Sequence, residues 1–256
     1  MINLLRIHAG PWGLGVLGLL SLFGLWWLAL ALFSSGEGLA ALFTPQATLA
    51  SLIDLLQRPE LVEHVLVSLK RIVIGLGLAL LIGVPLGLLV GSLRHLEWAT
   101  TPAFQFLRMI SPLSWMPIAV MLMGVGDQPI YFLLAFAAVW PILLNTAAGV
   151  KQLDSRWLQL ARSLSATRRE TLLRVILPGI VGHVLTGVRL AIGILWIVLV
   201  PCEMLGVSAG LGYYILDTRD RLAYSELMAM VLLIGVLGFL LDAAARWLHG
   251  RWSHAG

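Results

Sequence analysis

The chain of 256 residues is 59% hydrophobic and only 12% charged, with a mean hydropathy of +0.94. A water-soluble domain carries about 25% charged residues and about 45–50% apolar ones, so this composition excludes a soluble protein and fits a bilayer. Six spans of about 20 residues with short loops would use the length, which leaves no room for a soluble catalytic domain. The net charge of +4 and isoelectric point of about 9.7 then belong to membrane orientation rather than to nucleic-acid binding.

The first apolar run, about 12–33, exceeds the roughly 7–15-residue core of a signal peptide. No small-x-small cleavage site follows it, so a retained span is predicted. The second run, 63–91, carries Lys70 and Arg71 one or two turns inside its outer end. An ionisable group in a span costs at least about 2.5–3.5 kcal/mol. Lys70 can snorkel outward, whereas Arg71 calls for a carboxylate or backbone carbonyls. Gly83, Gly87 and Gly91 follow at four-residue spacing, the pattern of close helix packing. The third run, 104–124, is interrupted by Pro112 and Pro117 around Ser111, Ser114 and Trp115. A broken helix at membrane depth is tolerated where its backbone lines a cavity or is covered by protein, and half-helix ends can face polar cargo.

In the fourth run, 129–150, Asn145 and Thr146 can face the same lumen. Kinked packing with internally satisfied hydrogen bonds accounts equally well for each of these residues. The fifth run, 180–205, holds Arg189 in its first turns and Glu203 near its outer end. Glu203 can partner Arg71, line a path or face a second copy, and pairing is the expectation. The sole cysteine, Cys202, cannot form an intrachain disulfide and reads as buried and inert. The sixth run, 223–247, includes Asp242, expected at the interface.

Orientation follows from the basic residues. With the N-terminus inside, the cytoplasmic segments hold Arg6, Arg94, Lys151, Arg156, Arg162, Arg168, Arg169, Arg174, Arg246 and Arg251. The outside segments hold only Arg58, Arg219 and Arg221, among acidic residues such as Glu37, Asp54, Asp127 and Glu226. That asymmetry places both termini in the cytoplasm. The organisation expected is an N-terminal span and periplasmic connection (1–62), a transmembrane core (63–250) with a cytoplasmic loop at 151–178, and a cytoplasmic tail (251–256).

The loop has a pattern beyond its charge. Asp154 or Ser155 can cap a short helix with Trp157, Leu158, Ala161 and Leu164 on one side. Thr167 and Glu170 make a T-x-x-E capping box for a second helix, which passes Leu172, Leu173 and Ile176 and must end or kink near Pro178. Two amphipathic helices bent at Ser165–Ala166 result. Their apolar face suits either a cytoplasmic partner or lipid headgroups.

Here the sequence resembles a family. Gln159-Leu160-Ala161, Arg162-Ser163-Leu164, Ser165 and then Val175-Ile176-Leu177-Pro178 resemble the cytoplasmic "EAA" loop of ABC importer permeases: E-A-A, three residues, G, and later I-x-L-P. Gln159 stands where the pattern has Glu, and Ser165 where it has Gly. If the backbone is left-handed there, Ser costs roughly 1–2 kcal/mol where Gly costs little. "SLKRIVIGLGLALLIGVPLGLLVG", "LRMISPLSWMPIAVMLMGVGD", "FAAVWPILLNTAAGVKQLD" and "GLGYYILDTRD", in that order, are similar to the nitrate/sulfonate/bicarbonate/taurine importer permeases. Arg71 fits that family's S-L-x-R pattern.

The resemblance implies an all-α membrane protein with about six transmembrane helices, the type I ABC importer permease fold and a cytoplasmic coupling-helix loop. It implies docking on an ATPase through Gln159, Leu160, Ala161, Leu164, Ser165, Ala166 and Pro178. A second permease copy, two ATPase subunits holding ATP and magnesium, and a periplasmic or lipid-anchored binding protein complete the assembly, in a bacterial inner membrane. No cofactor or metal is expected in this chain, and no nucleic acid. No G-x-x-x-x-G-K-[ST] occurs, so the chain itself is not expected to hydrolyse ATP.

An intramembrane enzyme is the first alternative, but H-E-x-x-H is missing. The six histidines, His8, His64, His95, His183, His249 and His254, are not in paired spacing. A channel or proton-coupled carrier, the second alternative, leaves the two-helix loop without a purpose. The stretch "VPCEMLGVSAGLGYYILD" leans towards the nitrate-like members. Specificity in such systems rests mostly with the binding protein.

Overall fold

The computed structural model describes residues 11–33 and 42–253, and every regular element among them is helical. Arg6, His8, Glu37 and the chain from His254 onward lie outside the described residues. The helices are α1 (Pro11–Phe33), α2 (Pro45–Leu56), α3 (Pro59–Ser92), α4 (Arg94–Met109), α5 (Met116–Met123) and α6 (Asp127–Gln152). They continue with α7 (Ser155–Ser163), α8 (Arg168–Thr171), α9 (Leu177–Glu203), α10 (Leu211–Asp220) and α11 (Tyr224–Ser253).

Four helical stretches are long and apolar enough to cross a membrane: Pro59–Ser92, Asp127–Gln152, Arg168–Glu203 and Tyr224–Trp247. In α1 the apolar stretch Leu20–Leu32 is shorter. The third expected span is not a simple one. Arg94–Met109 and Pro112–Met123 meet at 84°, because a 3-10 turn at Pro112–Trp115 separates α4 from α5 and each proline removes a backbone donor. Counted together, that bent pair makes a fifth crossing.

The chain divides into two units. The first comprises residues 1–59 and 217–233. Here Thr44 caps α2 and Pro45 occupies its first turn, the position where a missing N–H costs nothing. Arg58 bridges Asp54 and Glu226, the latter at 3.1 Å. These two carboxylates hold its guanidinium still more firmly in the charged form.

The second unit comprises residues 60–216 and 234–256, and α6 is its axis. Some 67% of the apolar window of α6 is buried, against 28% for α3, so α6 is enclosed by protein while α3 keeps an outward face. Ile130, Leu133, Leu134, Ile142 and Leu143 along α6 are fully or almost fully buried, as are Ala191, Leu195 and Leu199 of α9. Glycines set the α3–α6 spacing. A Cβ on Gly75 would lie 2.6 Å from Leu134, one on Gly87 2.6 Å from the Leu143 carbonyl oxygen, and one on Gly91 2.8 Å from that of Ala147. The four-residue glycine repeat is therefore a packing seam, as its spacing predicts.

The second loop helix does not end at Pro178. The stretch Arg168–Glu203 is one helix of 36 residues, with a π turn at Leu172–Ile176 just before the proline. The Leu177 N–H reaches back to the Leu172 carbonyl. A wider turn thus precedes the proline, which has no N–H to donate, and the helix carries on.

Candidate functional site: a capped loop, a buried ion pair and a membrane chamber

The loop is built from local caps. The Asp154 carboxylate accepts from the Arg156 N–H at 2.9 Å and opens α7. At the other end the Ala166 N–H donates to the Ala161 carbonyl at 2.9 Å and that of Ser165 to Arg162 at 3.0 Å. This pair of bonds closes a helix through a residue with left-handed backbone, here Ser165 with φ 56°. Thr167 and Glu170 form the predicted capping box: the Thr167 N–H donates to the Glu170 carboxylate at 2.9 Å, and the Glu170 N–H to the Thr167 hydroxyl at 3.2 Å. Bonds from the Thr167 backbone and hydroxyl hold the Glu170 carboxyl below the ordinary range.

Trp157, Leu160 and Leu164 are 60%, 50% and 72% exposed, whereas Ala161 is 6% exposed. The apolar face open to a partner is therefore Trp157–Leu160–Leu164. Ala161, 6% exposed, lines the same groove as these three. Gln159 and Ser165 are exposed, Ala166 is half-buried, and Pro178 is exposed in the first turn of α9. Behind α7 lies a groove of about 510 Å³, walled by Leu153, Trp157, Leu160, Leu164, Arg174 and His183 among others.

At the opposite end of α9, Arg71 and Glu203 are 3% and 0% exposed and pair at 2.7 Å. The same Arg71 nitrogen donates to the Ala209 carbonyl at 2.7 Å, and the rest of the guanidinium engages Asp127 at 2.6 and 3.0 Å. The Ser68 hydroxyl lies 2.8 and 2.9 Å from the two Glu203 oxygens, and the Gly212 N–H donates to Glu203 at 2.9 Å. Gly210, with φ 124°, leaves the space: a Cβ there would stand 2.5 Å from both the Arg71 guanidinium and the Glu203 carboxyl. The expected pairing is present. The sequence does not reveal Asp127, Ser68 and the 206–212 turn as its other partners. The G-L-G at 210–212 is the one local signal of a close backbone approach. Arg189 pairs with Asp242 at 3.2 Å, and Lys70 is exposed.

The polar residues of the third and fourth runs do not share one lumen. Asn145 lines a chamber of about 490 Å³ together with Arg108, Pro112, Phe136, Trp140 and Leu190. Its amide donates to the Pro141 carbonyl at 2.8 Å. Its neighbour Thr146 is buried on the α3 side, donates to the Ile142 carbonyl at 2.7 Å, and would be 2.6 Å from a Cβ on Gly87. Successive residues on a helix point about 100° apart, so Thr146 is a packing residue and the lumen-facing reading does not hold for it. Ser111 and Ser114 are exposed on the 3-10 turn, and Trp115 packs on Phe136 with ring centroids 5.8 Å apart. None of these three reaches the chamber wall. Arg108 is the wall residue that reading the sequence misses, although it falls inside the third run, 104–124, where an ionisable group costs at least about 2.5–3.5 kcal/mol.

Residues 83–254 match the family described as "Binding-protein-dependent transport system inner membrane component". The chain belongs to this family. Over 187 residues this inner-membrane component is 39% identical to the bicarbonate transport system permease protein CmpB of Synechococcus elongatus, with 72% of this chain and 66% of that one covered. It is 32% identical over 179 residues to the nitrate import permease protein NrtB of Synechocystis (70% and 65% covered). Identity to the taurine transport system permease protein TauC of Escherichia coli is 32% over 189 residues (74% and 69%). The chain thus spans just under two thirds of the length of the first two of these relatives. In fold the component is similar to a chain of the inward-facing MetNI methionine ABC transporter, with TM-score 0.64, 16% identity, and 75% and 96% of the two chains covered. The all-helical type I importer architecture expected from the resemblance is the one found.

Proposed function

We propose that the chain is the membrane-spanning subunit of an ATP-driven importer for a small anionic solute of the nitrate, sulfonate, taurine or bicarbonate class. The observation that carries this reading is the loop: capped at both helix starts, bent at a fixed residue, and presenting Trp157, Leu160 and Leu164 to solvent. In the assembly two copies of the chain meet two cytoplasmic ATPase subunits, which hold ATP and magnesium, and a periplasmic or lipid-anchored binding protein. Gln159, Leu160, Ala161, Leu164, Ser165, Ala166 and Pro178 form the element that docks on the ATPase. Asn145 belongs to the pathway through the chamber wall, and Ser111, Ser114 and Trp115 border that pathway from the turn between α4 and α5. The division into 1–62, a core at 63–250 and a tail at 251–256 is kept, with both termini in the cytoplasm.

The mechanics follow from one element. The helix of 36 residues from Arg168 to Glu203 is about 54 Å long at 1.5 Å per residue. A displacement of the loop by the closing ATPases therefore reaches the Arg71–Glu203 pair, where it opens or closes the outer end.

The test is Leu160→Glu. Leu160 is half exposed, so the substitution leaves the chain's own packing in place. An unpaired charge desolvated on docking costs several kcal/mol, at about 1.4 kcal/mol per tenfold in affinity. The variant inserts in the membrane, yet co-purification with the ATPase and solute uptake both fall by orders of magnitude. Wild-type ATPase binding and uptake in this variant would overturn the reading. Labelling of Ser253→Cys by an impermeant reagent outside intact cells would overturn the topology, and a mass with one copy per two ATPases would overturn the homodimer.

A further inference from the structure

Arg108, in the last turn of α4, lines two cavities at once. One is the chamber of about 490 Å³ that holds Asn145 and Trp140. The other, of about 300 Å³, is walled by Glu97, Thr101, Gln105, Lys151 and Gln152 towards the cytoplasmic end of α6. Arg108 and Leu144 are common to both walls. Both volumes fall in the range of about 300–1,000 Å³ usual for small-molecule sites.

The charge inventory of these walls is one-sided. Arg108 is the only charged residue lining the first cavity. In the second, Lys151 and Glu97 are ion-paired with each other. Arg71 and Arg189 likewise have carboxylate partners. Arg108 has no ion pair or hydrogen bond with any of the described residues. The donors around it are also one-sided. Asn145 spends one amide N–H on the Pro141 carbonyl and keeps a second.

We propose that Arg108 is the anchor of an oxyanion site on the solute's route between these two cavities, an inference that rests on the import function proposed above and names its solute-contacting residue. The ligand class is a small carboxylate-like or sulfonate-like anion. The planar guanidinium offers two parallel N–H groups to two oxygens of such an ion. Phe136, Leu190 and Ile194 supply apolar walls beside the exposed Arg108. No carboxylate lines the upper chamber, so a cation gains nothing there. A lipid phosphate presents the same oxygens as a solute, and the experiment separates the two.

The experiment uses the whole transporter in phosphatidylcholine vesicles, with Leu144→Cys as reporter on the shared wall. The native Cys202 is buried and adds little background. A sulfonate-bearing and a trimethylammonium-bearing methanethiosulfonate reagent compete for the reporter thiol. With Arg108 present the anionic reagent is favoured by roughly tenfold or more relative to its standing in Arg108→Gln, the effect of one unit charge at close range. Nitrate or bicarbonate slows labelling only when Arg108 is present. Arg108→Lys restores the reagent preference but less of the anion protection, since the fork is lost. Uptake by Arg108→Gln falls in parallel.

If the preference and the protection are the same in Arg108→Gln as with Arg108, the site is refuted even though uptake proceeds. If protection vanishes when phosphatidylglycerol is added to the vesicles, the oxyanion is a lipid headgroup and the solute site is refuted. Arg108-dependent protection by nitrate in a complex that transports no anion would leave this site standing and refute the import function instead.

Discussion

The Arg71 cluster gives the sharpest quantitative prediction, because its three charges are buried to different depths. Arg71→Met leaves Glu203 fully buried with only the Ser68 hydroxyl and the Gly212 N–H to hold its charge. Removing one partner of a buried pair costs about 3–5 kcal/mol. Glu203→Gln keeps an acceptor for Gly212, and Arg71 keeps Asp127 and the Ala209 carbonyl. The loss is then one charge-assisted bond, about 1.5–3 kcal/mol. Asp127 is 41% exposed, so water takes over when Asp127→Asn is made and the cost is only about 0–1 kcal/mol. The order Arg71→Met, Glu203→Gln, Asp127→Asn should appear in the thermal unfolding of the detergent-solubilised protein. The double variant Arg71→Met/Glu203→Met should recover much of the single loss, because no buried charge is left unpaired. Equal costs for Asp127→Asn and Glu203→Gln, or strict additivity in the double variant, would refute the reasoning.

Three further outcomes are expected. Ser165→Gly relieves a left-handed backbone and should stabilise the loop by about 1 kcal/mol, read as slower amide exchange at Ser165 and Ala166; faster exchange would contradict it. Gly87→Ala forces a Cβ to within 2.6 Å of backbone and should destabilise the protein by about 1–3 kcal/mol. Gly77→Ala, which meets nothing within 4 Å, should not destabilise it. The capping box has a pH window. The Glu170 carboxyl is held below its ordinary value, so its contribution is complete above the unfolded carboxylate range and disappears as pH falls through the depressed folded value. Exchange protection of the Thr167 N–H should be lost in that acid window and absent at neutral pH in Glu170→Ala.

What the sequence made legible was local. The caps at Asp154 and Thr167 and the bend at Ser165 are set by residues within five positions of each other, so spacing alone reveals them. The apolar runs and the glycine seam are likewise periodic signals along single helices. Arg71 and Glu203 could be matched as opposite charges at a shared depth, 132 positions apart, but Ser68 carries no charge to match and Asp127 stands at the start of α6, before the fourth apolar run. Ala161 and Leu160 are neighbours in an apolar pattern. Which of them faces inward depends on how α7 folds back against the π turn. Pro178 shows the limit of a local rule: proline forbids one bond, and a wider turn one residue earlier keeps the helix going.

The seam between α3 and α6 has a mechanical consequence. Helices that meet through Gly75, Gly83, Gly87 and Gly91 approach so closely that a Cβ on any of these would lie within about 3 Å of Leu134, Ile142, the Leu143 carbonyl or the Ala147 carbonyl. Sliding one past the other by a residue would bring Cβ atoms into these close contacts. These two helices, with α9 joined to α3 through Glu203, therefore resist sliding past one another. Deformation has to be taken up at joints, and the sharpest joint among the described residues is the 84° elbow between α4 and α5.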